Sequence, residues 1–256
     1  MPDFKFERQG AIFVMTITRP DRMNSLTTQI SREMAKAWDS FQKDDSLHIG
    51  IITGEGGKAF SAGNDLKAKA EGVQREHVIN GFAGVTGRFG NKKPIIAAVN
   101  GIAMGGGCEL ALACDLVVAG EHAIFALSEP KVGAVAVGGG IHRLARQIPL
   151  KHAMGMLLTG RQITAQQALE FGFVNEVVPS GQEMQGAMRW AEEILSGSQM
   201  SVQLTKKAVM QGLDSPSLEI AFRSQTDIAL QIRTTHDYEE GARAFVEKRK
   251  PNWRNI

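Results

Sequence analysis

The chain has 256 residues, of which 43% are apolar and 22% are charged. This balance excludes a disordered, collagen-like or coiled-coil chain and, at this length, favours one large domain with at most a small appendage. The 29 lysine and arginine residues and the 27 aspartate and glutamate residues give a formal net charge of +2. Because the basic residues are spread along the chain, no nucleic-acid-binding or membrane-binding surface is predicted.

The first part of the chain alternates predicted strands with predicted helices. Residues 11–18 (AIFVMTIT) predict a strand, apolar residues at helical spacing after residues 27–28 predict a helix, and residues 47–53 (LHIGIIT) predict a second strand. A helix is expected over residues 108–113. Further strands are expected over residues 95–100, 116–119, 123–126 and 173–178. This alternation indicates a layered α/β core, and the glycine-punctuated residues 68–91 predict a mobile excursion from it.

After about residue 179 the sequence predicts only helices. They are expected over residues 182–195, 202–213, 216–234 and 237–248. In the third helix Ser215 is expected to be the N-cap, with Pro216 at the first helical position, and in the last helix Asp237 and Glu240 fit a capping box. Apolar residues of the last helix form a stripe that should cover another surface: Tyr238, Ala242, Phe245 and Val246.

The expected compartment follows from the cysteines and from the absence of targeting patterns. Cys108 and Cys114 lie six positions apart in a predicted helix, which places their Cα atoms about 9 Å apart, beyond the reach of a disulfide. Residues 1–8 carry four charged side chains and no apolar run, unlike a secretory signal. The longest apolar stretch, residues 95–120, contains polar and acidic residues, which argues against a membrane span. We therefore expect a cytoplasmic protein.

Residues 100–109 (NGIAMGGGCE) combine a strand end, a turn and three glycines that open a helix. The first amides of a helix have no partner within it and lie at the positive end of its dipole, so an oxyanion could bind there. The alternative is a tight connection packed against its neighbours, which is the commoner fate of a bare glycine triplet. Glu109, in the first turn of this helix and among apolar residues, indicates an acid poised for chemistry.

Residues 59–66 (AFSAGNDL) form a second turn of small residues, which could supply another free amide. Two other interpretations compete for this region. Residues 54–59 match a loose dinucleotide-binding pattern, and residues 59–63 resemble a degraded nucleophile elbow around Ser61. Both need a helix directly after the motif, whereas the sequence continues as a loop, so both are disfavoured.

Glu129 is the third candidate residue for chemistry. It precedes Pro130, which should hold it in an extended conformation at the end of a short strand and aim its side chain into a cleft. The alternative is a surface ion pair with Lys131. The six histidines show no ligand pair at helical spacing: His48, His77, His122, His142, His152 and His236. No metal site is therefore expected.

Taken together, these motifs resemble the enoyl-CoA hydratase/isomerase (crotonase) family along nearly the whole chain. Residues 59–66 are similar to its F-S-A-G-x-D-L segment, and residues 94–115 are similar to its strand, glycine triplet and C-E-L-A helix. Residues 245–253 (FVEKRKPNW) resemble its terminal signature. The resemblance implies an α/β fold with a crotonase-like spiral core of ββα units over residues 1–195 and a C-terminal helical trimerisation region over residues 196–256.

The resemblance also implies an acyl-CoA thioester substrate, a homotrimer or dimer of trimers, no nucleic-acid or membrane partner, and no metal or redox cofactor. By position it assigns the oxyanion-hole amides to Asn64 and Gly106 and the catalytic acids to Glu109 and Glu129. It further assigns substrate-binding roles to Ala62 and Lys67, and to Phe245 and Lys248 as residues that reach the CoA of a neighbouring subunit.

This residue set fits an enoyl-CoA hydratase, which adds water to a 2-enoyl-CoA thioester to give a 3-hydroxyacyl-CoA. Two amides would stabilise the thioester oxyanion, while Glu109 acts as the base that orients water and Glu129 as the acid that protonates C2. The alternatives are a Δ3,Δ2-enoyl-CoA isomerase, in which one glutamate shuttles the proton, and a non-catalytic acyl-CoA-binding protein.

Two departures from the family pattern concern the acyl pocket. Residues 133–140 (GAVAVGGG) replace a Pro-Gly turn that usually follows the second glutamate, and Pro130 follows Glu129 where the family more often has proline before it. Both affect the expected substrate and the aim of Glu129, whereas the thioester chemistry does not depend on them.

Overall fold

A computed structural model of the chain describes residues 2–72 and 78–255. His77 and part of the excursion expected over residues 68–91 lie outside the described residues. The chain divides into two compact units. The first contains Met1–Asn91 and Ile95–Arg189, and the second contains Lys92–Pro94 and Trp190–Ile256.

The first unit is built on two sheets. Its strands are β1 (Phe4–Gln9), β2 (Ile12–Ile17), β3 (Ile49–Gly54), β4 (Ala59–Ser61), β5 (Ile95–Val99), β6 (Ile102–Met104), β7 (Leu116–Gly120), β8 (Ile124–Ala126), β9 (Ile163–Thr164) and β10 (Glu176–Val178). The larger sheet has the order β1-β2-β3-β5-β7-β10, and only β1 runs antiparallel to its neighbour. The smaller sheet has the order β4-β6-β8-β9, with β9 antiparallel to β8.

The long strands of the larger sheet are buried on both faces. β3 (IGIITG) and β5 (IIAAV) are buried along their whole length, as expected for parallel strands that other layers cover. Each of β3, β5 and β7 is followed by a short strand of the smaller sheet, β4, β6 and β8 respectively. The chain therefore repeats a strand-strand unit, and after β4 and after β6 a helix completes it.

The helices of the first unit are α1 (Thr28–Lys43), α2 (Leu66–Ala70), α3 (Gly106–Ala113), α4 (Gly140–Gln147), α5 (Leu150–Thr159) and α6 (Ala165–Phe171), and α7 (Glu183–Leu195) crosses the division between the units. Thr27 caps α1 by accepting a hydrogen bond from the Ile30 amide. The apolar face of α1 supplies Trp38 and Phe41, which are fully buried and pack against Phe13 of β2. This cluster anchors the core beside the larger sheet.

Several elements of the first unit were not predicted from the sequence. β1 (FKFERQ) has charged residues along a strand that is exposed over most of its length, so it lacks the apolar alternation of a half-buried strand. The helices α4, α5 and α6 are only 8, 10 and 7 residues long, and such short helices carry little periodicity.

Within its described residues, the second unit contains four helices after α7: α8 (Gln199–Leu213), α9 (Leu218–Ser224), α10 (Thr226–Arg233) and α11 (His236–Glu247). The single helix predicted over residues 216–234 is wrong, because α9 and α10 are separate. The hydroxyls of Ser224 and Thr226 donate to the carbonyls of Ala221 and Arg223 and so compete with the helical backbone at the junction. The N-cap of α9 is Ser217, which accepts a hydrogen bond from the Ile220 amide, and not Ser215.

The predicted capping box at α11 is also wrong. Thr235 caps this helix by accepting a hydrogen bond from the Tyr238 amide at 3.3 Å. Asp237 and Glu240 are buried and bind the C-terminal residues of the chain instead. Asp237 accepts from the Ser198 hydroxyl and from the amides of Arg254 and Asn255. Glu240 accepts from the Arg249 guanidinium at 2.6 Å and from the Asn252 amide at 2.7 Å.

The apolar stripe predicted on α11 is exposed in this structure. Phe245 is 85% exposed and Val246 is 80% exposed. Among the described residues, no helix has both the length and the apolar character needed to cross a bilayer.

Candidate active site

A cavity of about 590 Å³ lies in the first unit. Five of the residues predicted from the sequence line it: Ala62, Asn64, Gly106, Glu109 and Glu129. They come from the turn after β4, the start of α3 and the segment after β8. The repeated strand-strand pattern therefore brings three distant parts of the chain to one cavity.

The turn after β4 presents the Asn64 amide. The flanking backbone is fixed to Leu26, whose amide donates to the Gly63 carbonyl at 2.9 Å and whose carbonyl accepts from the Asp65 amide at 3.0 Å. Among the residues that the structure describes, no acceptor pairs with the Asn64 amide. This donor is held in place on both sides and is available to a ligand.

The second amide belongs to Gly106, the first residue of α3. The Glu109 amide donates to the Gly105 carbonyl at 2.9 Å, which closes the first turn of the helix and leaves the Gly106 amide without a helical partner. Within the described chain, no other acceptor binds the Gly106 amide. A Cβ on Gly63 would lie 2.8 Å from the Gly106 nitrogen, so the backbone of the Asn64 turn reaches the start of α3 only because residue 63 is glycine.

Glu109 is 4% exposed, and its carboxylate is bound by backbone amides. Oε1 accepts a hydrogen bond from the Gly140 amide at 3.0 Å, and the Gly138 amide also binds the carboxylate. A Cβ on Gly138 would lie 2.5 Å from Oε2, so the glycine-rich loop can approach the acid because it carries no side chains there.

Glu129 is half-buried and begins a 3-10 turn, Glu129–Val132. The extended conformation expected before Pro130 is therefore wrong. Proline fits the second position of this turn because its missing amide proton is not needed there, and the Glu129 carbonyl accepts from the Ala134 amide. The side chain lies beside the start of α3, since a Cβ on Gly105 would be 3.2 Å from Glu129 Oε1.

The two acids influence each other electrostatically. Burial and the nearby Glu129 carboxylate raise the pKa of Glu109, while the amides of Gly140 and Gly138 and the Arg143 guanidinium act to lower it, and the net shift is upward. Burial, Glu109 and Glu129 also raise the pKa of the Cys108 thiol, which keeps it protonated. The cavity therefore holds one carboxyl group that binds a proton more readily than an exposed glutamate.

A polar cluster supports the Asn64 turn from outside the cavity. The Arg19 guanidinium forms a 3.2 Å ion pair with Asp65, which is 8% exposed. Burial acts to raise the pKa of Asp65, but the Ala68 amide and Arg19 lower it overall. Asp65, the residue after Asn64, is thus charged and held in position by its partners.

The other predicted binding residues are not among the residues that line the cavity. Lys67 is exposed on α2 and is not among the lining residues. Phe245 and Lys248 belong to the second unit, at the end of α11, where Lys248 has a φ of 54°.

The structure also disfavours the two competing interpretations of residues 54–63. Strand β4 follows residues 54–58, and no helix opens there as a dinucleotide site would need. Ser61 is fully buried, donates its hydroxyl to the Asn24 carbonyl at 2.8 Å and accepts from the Gly63 amide. It is therefore a structural residue and not an exposed nucleophile.

Several lining residues were not identified from the sequence. They include Phe82, Thr86, Phe89 and His142. Arg143, next to His142 on α4, donates to the carbonyls of Thr86 and Gly138. These residues belong to irregular segments and a short helix, where the sequence carries no periodic signal, although the glycines of residues 138–140 marked the loop.

The arrangement can stabilise an oxyanion and move protons at adjacent atoms. Two amide donors on touching backbone segments can bind one oxygen, and two carboxyl groups on the same cavity can act as base and acid. Within the described residues, no group of three or more histidine, cysteine, aspartate or glutamate side chains could hold a metal ion.

Comparisons with known proteins point to one family. The family model for enoyl-CoA hydratase/isomerase matches residues 7–255. The enoyl-CoA hydratase EchA19 of Mycobacterium tuberculosis is 39% identical over 99% of this chain and 97% of that protein. A carnitinyl-CoA dehydratase of Salmonella arizonae is 40% identical over 98% of this chain and 97% of that protein.

Solved structures agree with this match. The crystal structure of an enoyl-CoA hydratase from Mycobacterium tuberculosis H37Rv superposes with a TM-score of 0.94 at 38% identity and covers 100% of both chains. The α/β, crotonase-like fold expected from the sequence is confirmed. Since the family model and relatives of this identity span almost the whole sequence, the chain belongs to the enoyl-CoA hydratase/isomerase family.

Proposed function

We propose that this protein is an enoyl-CoA hydratase that adds water reversibly to a 2-enoyl-CoA thioester to give a 3-hydroxyacyl-CoA. One observation carries the proposal: the unpaired amides of Asn64 and Gly106 and the carboxyl groups of Glu109 and Glu129 line a single cavity. The relatives named enoyl-CoA hydratase support the same reaction class.

In the proposed reaction the thioester carbonyl oxygen accepts hydrogen bonds from the Asn64 and Gly106 amides. Glu109 takes a proton from water as the water oxygen bonds to C3, and the electron pair of the C2–C3 double bond moves toward the thioester oxygen. Glu129 then delivers a proton to C2, and the roles reverse in dehydration. The two amides stabilise the negative charge that develops on the oxygen, and loss of one such donor typically costs about 3 kcal/mol.

The raised pKa of Glu109 supports a role for this residue in proton transfer. A carboxylate whose proton affinity is higher than that of an exposed glutamate accepts a proton from water more readily. The reaction needs only these proton transfers and two amide donors, so we propose that no metal or redox cofactor takes part.

The direct test is incubation with crotonyl-CoA, whose conjugated-thioester absorbance should disappear as water is added. Glu109→Gln and Glu129→Gln should each lower turnover by roughly 10²-fold or more if both groups transfer protons. A gain of that absorbance from a 3-enoyl-CoA, with only one glutamate required, would favour the isomerase. Binding of acyl-CoA without either change would favour a non-catalytic binding protein.

Binding of the CoA portion is proposed to involve Ala62 and Lys67 of one subunit, together with Phe245 and Lys248 of a neighbouring subunit. Lys67 offers an exposed cation close in sequence to the oxyanion turn, and CoA carries phosphates that such a cation can attract. Lys67→Ala should raise KM with little change in kcat, because it removes binding common to the ground and transition states. Lys36→Ala, an exposed lysine on α1, is the matched control and should change neither.

We also propose a homotrimer or dimer of trimers in the cytoplasm. Residues 196–256 carry exposed large apolar side chains, among them Leu218, Phe222 and Phe245, and exposed apolar patches of this kind commonly mark protein interfaces. The buried thiols of Cys108 and Cys114 suit a reducing compartment. Light scattering after size-exclusion chromatography should give three or six times the mass of 27.7 kDa. A monomeric mass would reject the trimer.

A further inference from the structure

Arg143 is a half-buried cation at the edge of the cavity that the proposed mechanism does not use. It lies on α4, one residue after the cavity-lining His142. Among the described residues, no carboxylate lies within ion-pair distance of its guanidinium. Burial acts to lower its pKa, yet arginine remains charged in proteins, so Arg143 places an unneutralised positive charge beside the site.

The guanidinium joins two walls of the cavity. Nη2 donates to the Thr86 carbonyl at 2.8 Å, and Nη1 donates to the Gly138 carbonyl at 3.4 Å. The group also lies over the ring of Phe89, with its central carbon 5.3 Å from the ring centroid. Thr86, Phe89 and Gly138 all line the cavity, so one side chain links two separate segments of its lining.

The wall that carries Gly138 is also the wall that holds Glu109. The amides of Gly138 and Gly140 bind the Glu109 carboxylate. If the carbonyl of Gly138 lost its donor, the loop over residues 138–140 could move, and both amides would move with it. The planar fork of arginine suits this task, because its several N–H groups can bind carbonyls in different directions at once.

We propose that Arg143 is a positioning residue, which bridges the Thr86 wall and the 138–140 loop and thereby holds the Glu109 carboxylate in place for proton transfer. The inference rests on the proposed function for its catalytic meaning. Its positive charge also acts on Glu109. The other titratable groups facing that carboxyl are Glu129 on the 3-10 turn and Cys108 on α3, and His142 lines the same cavity.

The test compares three variants by pH profiles of kcat and kcat/KM for crotonyl-CoA hydration. Arg143→Gln should lower kcat by roughly tenfold or more, since a misplaced catalytic group costs about that much or greater. Because the Arg143 charge lowers the pKa of Glu109, its removal should move the acid limb of the profile upward by about half a pH unit or more. Arg143→Lys keeps the positive charge but lacks the forked guanidinium. The acid limb of its pH profile should therefore match that of the wild type, while its kcat stays reduced.

Arg146→Gln is the matched control. It removes the same charge from the same helix, but Arg146 is exposed and, within the part of the chain that the structure describes, bonds only the His142 carbonyl. It should leave kcat and the acid limb unchanged. Equal effects in Arg143→Gln and Arg146→Gln would overturn the proposal, as would wild-type kcat in Arg143→Lys.

A second measurement does not depend on turnover. The ¹³C NMR titration of the Glu109 carboxyl, assigned with Glu109→Gln, should shift to higher pH in Arg143→Gln. An unchanged titration in the folded variant rejects the inference even if the wild type is active. An inactive wild type with a shifted titration rejects the hydratase proposal instead. If Arg143→Gln does not fold, the kcat of Arg143→Lys decides the question. A reduced value supports the positioning role of the guanidinium, and a wild-type value overturns the proposal.

Discussion

Glu109 in the first unit and Glu240 in the second are equally buried, each 4% exposed, but their surroundings act on them in opposite ways. Burial and Glu129 raise the pKa of Glu109. The Arg249 guanidinium and the Asn252 amide lower the pKa of Glu240 to about 2. Glu109 binds amides but forms no ion pair among the described residues, whereas Glu240 forms a 2.6 Å ion pair.

This contrast shows what distinguishes a reactive buried acid from a structural one. A carboxylate that is fully compensated by a guanidinium and amides stabilises the fold and has little tendency to accept a proton. A carboxylate left partly uncompensated beside a cavity opposes folding and is suited to proton transfer. Asp237 belongs to the structural class, because despite burial its pKa is lowered by Ser198 and by the amides of Arg254 and Asn255.

The largest expected effect comes from Glu109→Gln, which should reduce crotonyl-CoA hydration by roughly 10²-fold or more without loss of thermal stability. The amide side chain keeps one acceptor oxygen, for the Gly140 amide, and removal of a charge whose burial is unfavourable offsets the loss of the second acceptor. Steady-state kinetics and thermal unfolding of the same preparation check both parts. A large fall in the unfolding midpoint would place Glu109 in the structural class instead.

The next largest effect is expected on acidification, which should abolish activity at a pH where the protein is still folded. Glu109 must be ionised to act as base, so activity should fall about tenfold for each pH unit below its raised pKa. Over the same range protonation of Glu109 adds stability, because the unfolded chain binds the proton less readily. Asp237 and Glu240 have lowered pKa values, so their stabilisation is present above the unfolded values near 4 and disappears only as pH approaches the folded values, about 2 for Glu240.

Activity and thermal midpoint measured between pH 7 and pH 3 should therefore separate, with activity lost while the fold persists. Simultaneous loss of both would contradict the assignment of these carboxyls to two classes.

A smaller effect is expected for Ser198→Ala, which removes the 2.7 Å hydrogen bond to Asp237. Hydrogen bonds to buried charged groups contribute about 1.5 to 3 kcal/mol, and Ser198 also caps α8. Denaturant unfolding should show a loss of about 2 kcal/mol. The comparison is Ser40 of α1, an exposed serine whose hydroxyl donates to the Lys36 carbonyl and, among the described residues, to no carboxylate; its replacement by alanine should cost less.

The smallest effect should come from Thr235→Ala, which removes the N-cap of α11. Loss of a threonine cap costs about 1 kcal/mol. Asp237→Asn should cost more than Thr235→Ala, because Asp237 binds Ser198 and the C-terminal residues and does not cap the helix. The reverse order in chemical denaturation would restore the capping role that the sequence suggests for Asp237.

The sequence predicted the features that have a local pattern and missed those that depend on contacts between distant residues. Runs of apolar, β-branched residues located β2, β3 and β5, apolar residues at helical spacing located α1, and small-residue turns marked the segments of Asn64 and Gly106. The role of Asp237 was mispredicted because its partners lie at residues 198 and 254–255, and local spacing cannot reveal contacts with distant residues. Arg143 was not identified for the same reason, since its acceptors include Thr86, 57 positions away.

The segment between Glu129 and Gly138 has a consequence for how this protein can diversify. Val132, Val135 and Val137 line the cavity, yet they are 57%, 62% and 82% exposed and contribute little to the core. Replacements there alter the shape of the cavity at small cost to folding, because exposed side chains tolerate exchange. Substitutions that adapt the cavity to a new acyl group should therefore be tolerated best at these three valines, while the two amides and two acids remain unchanged.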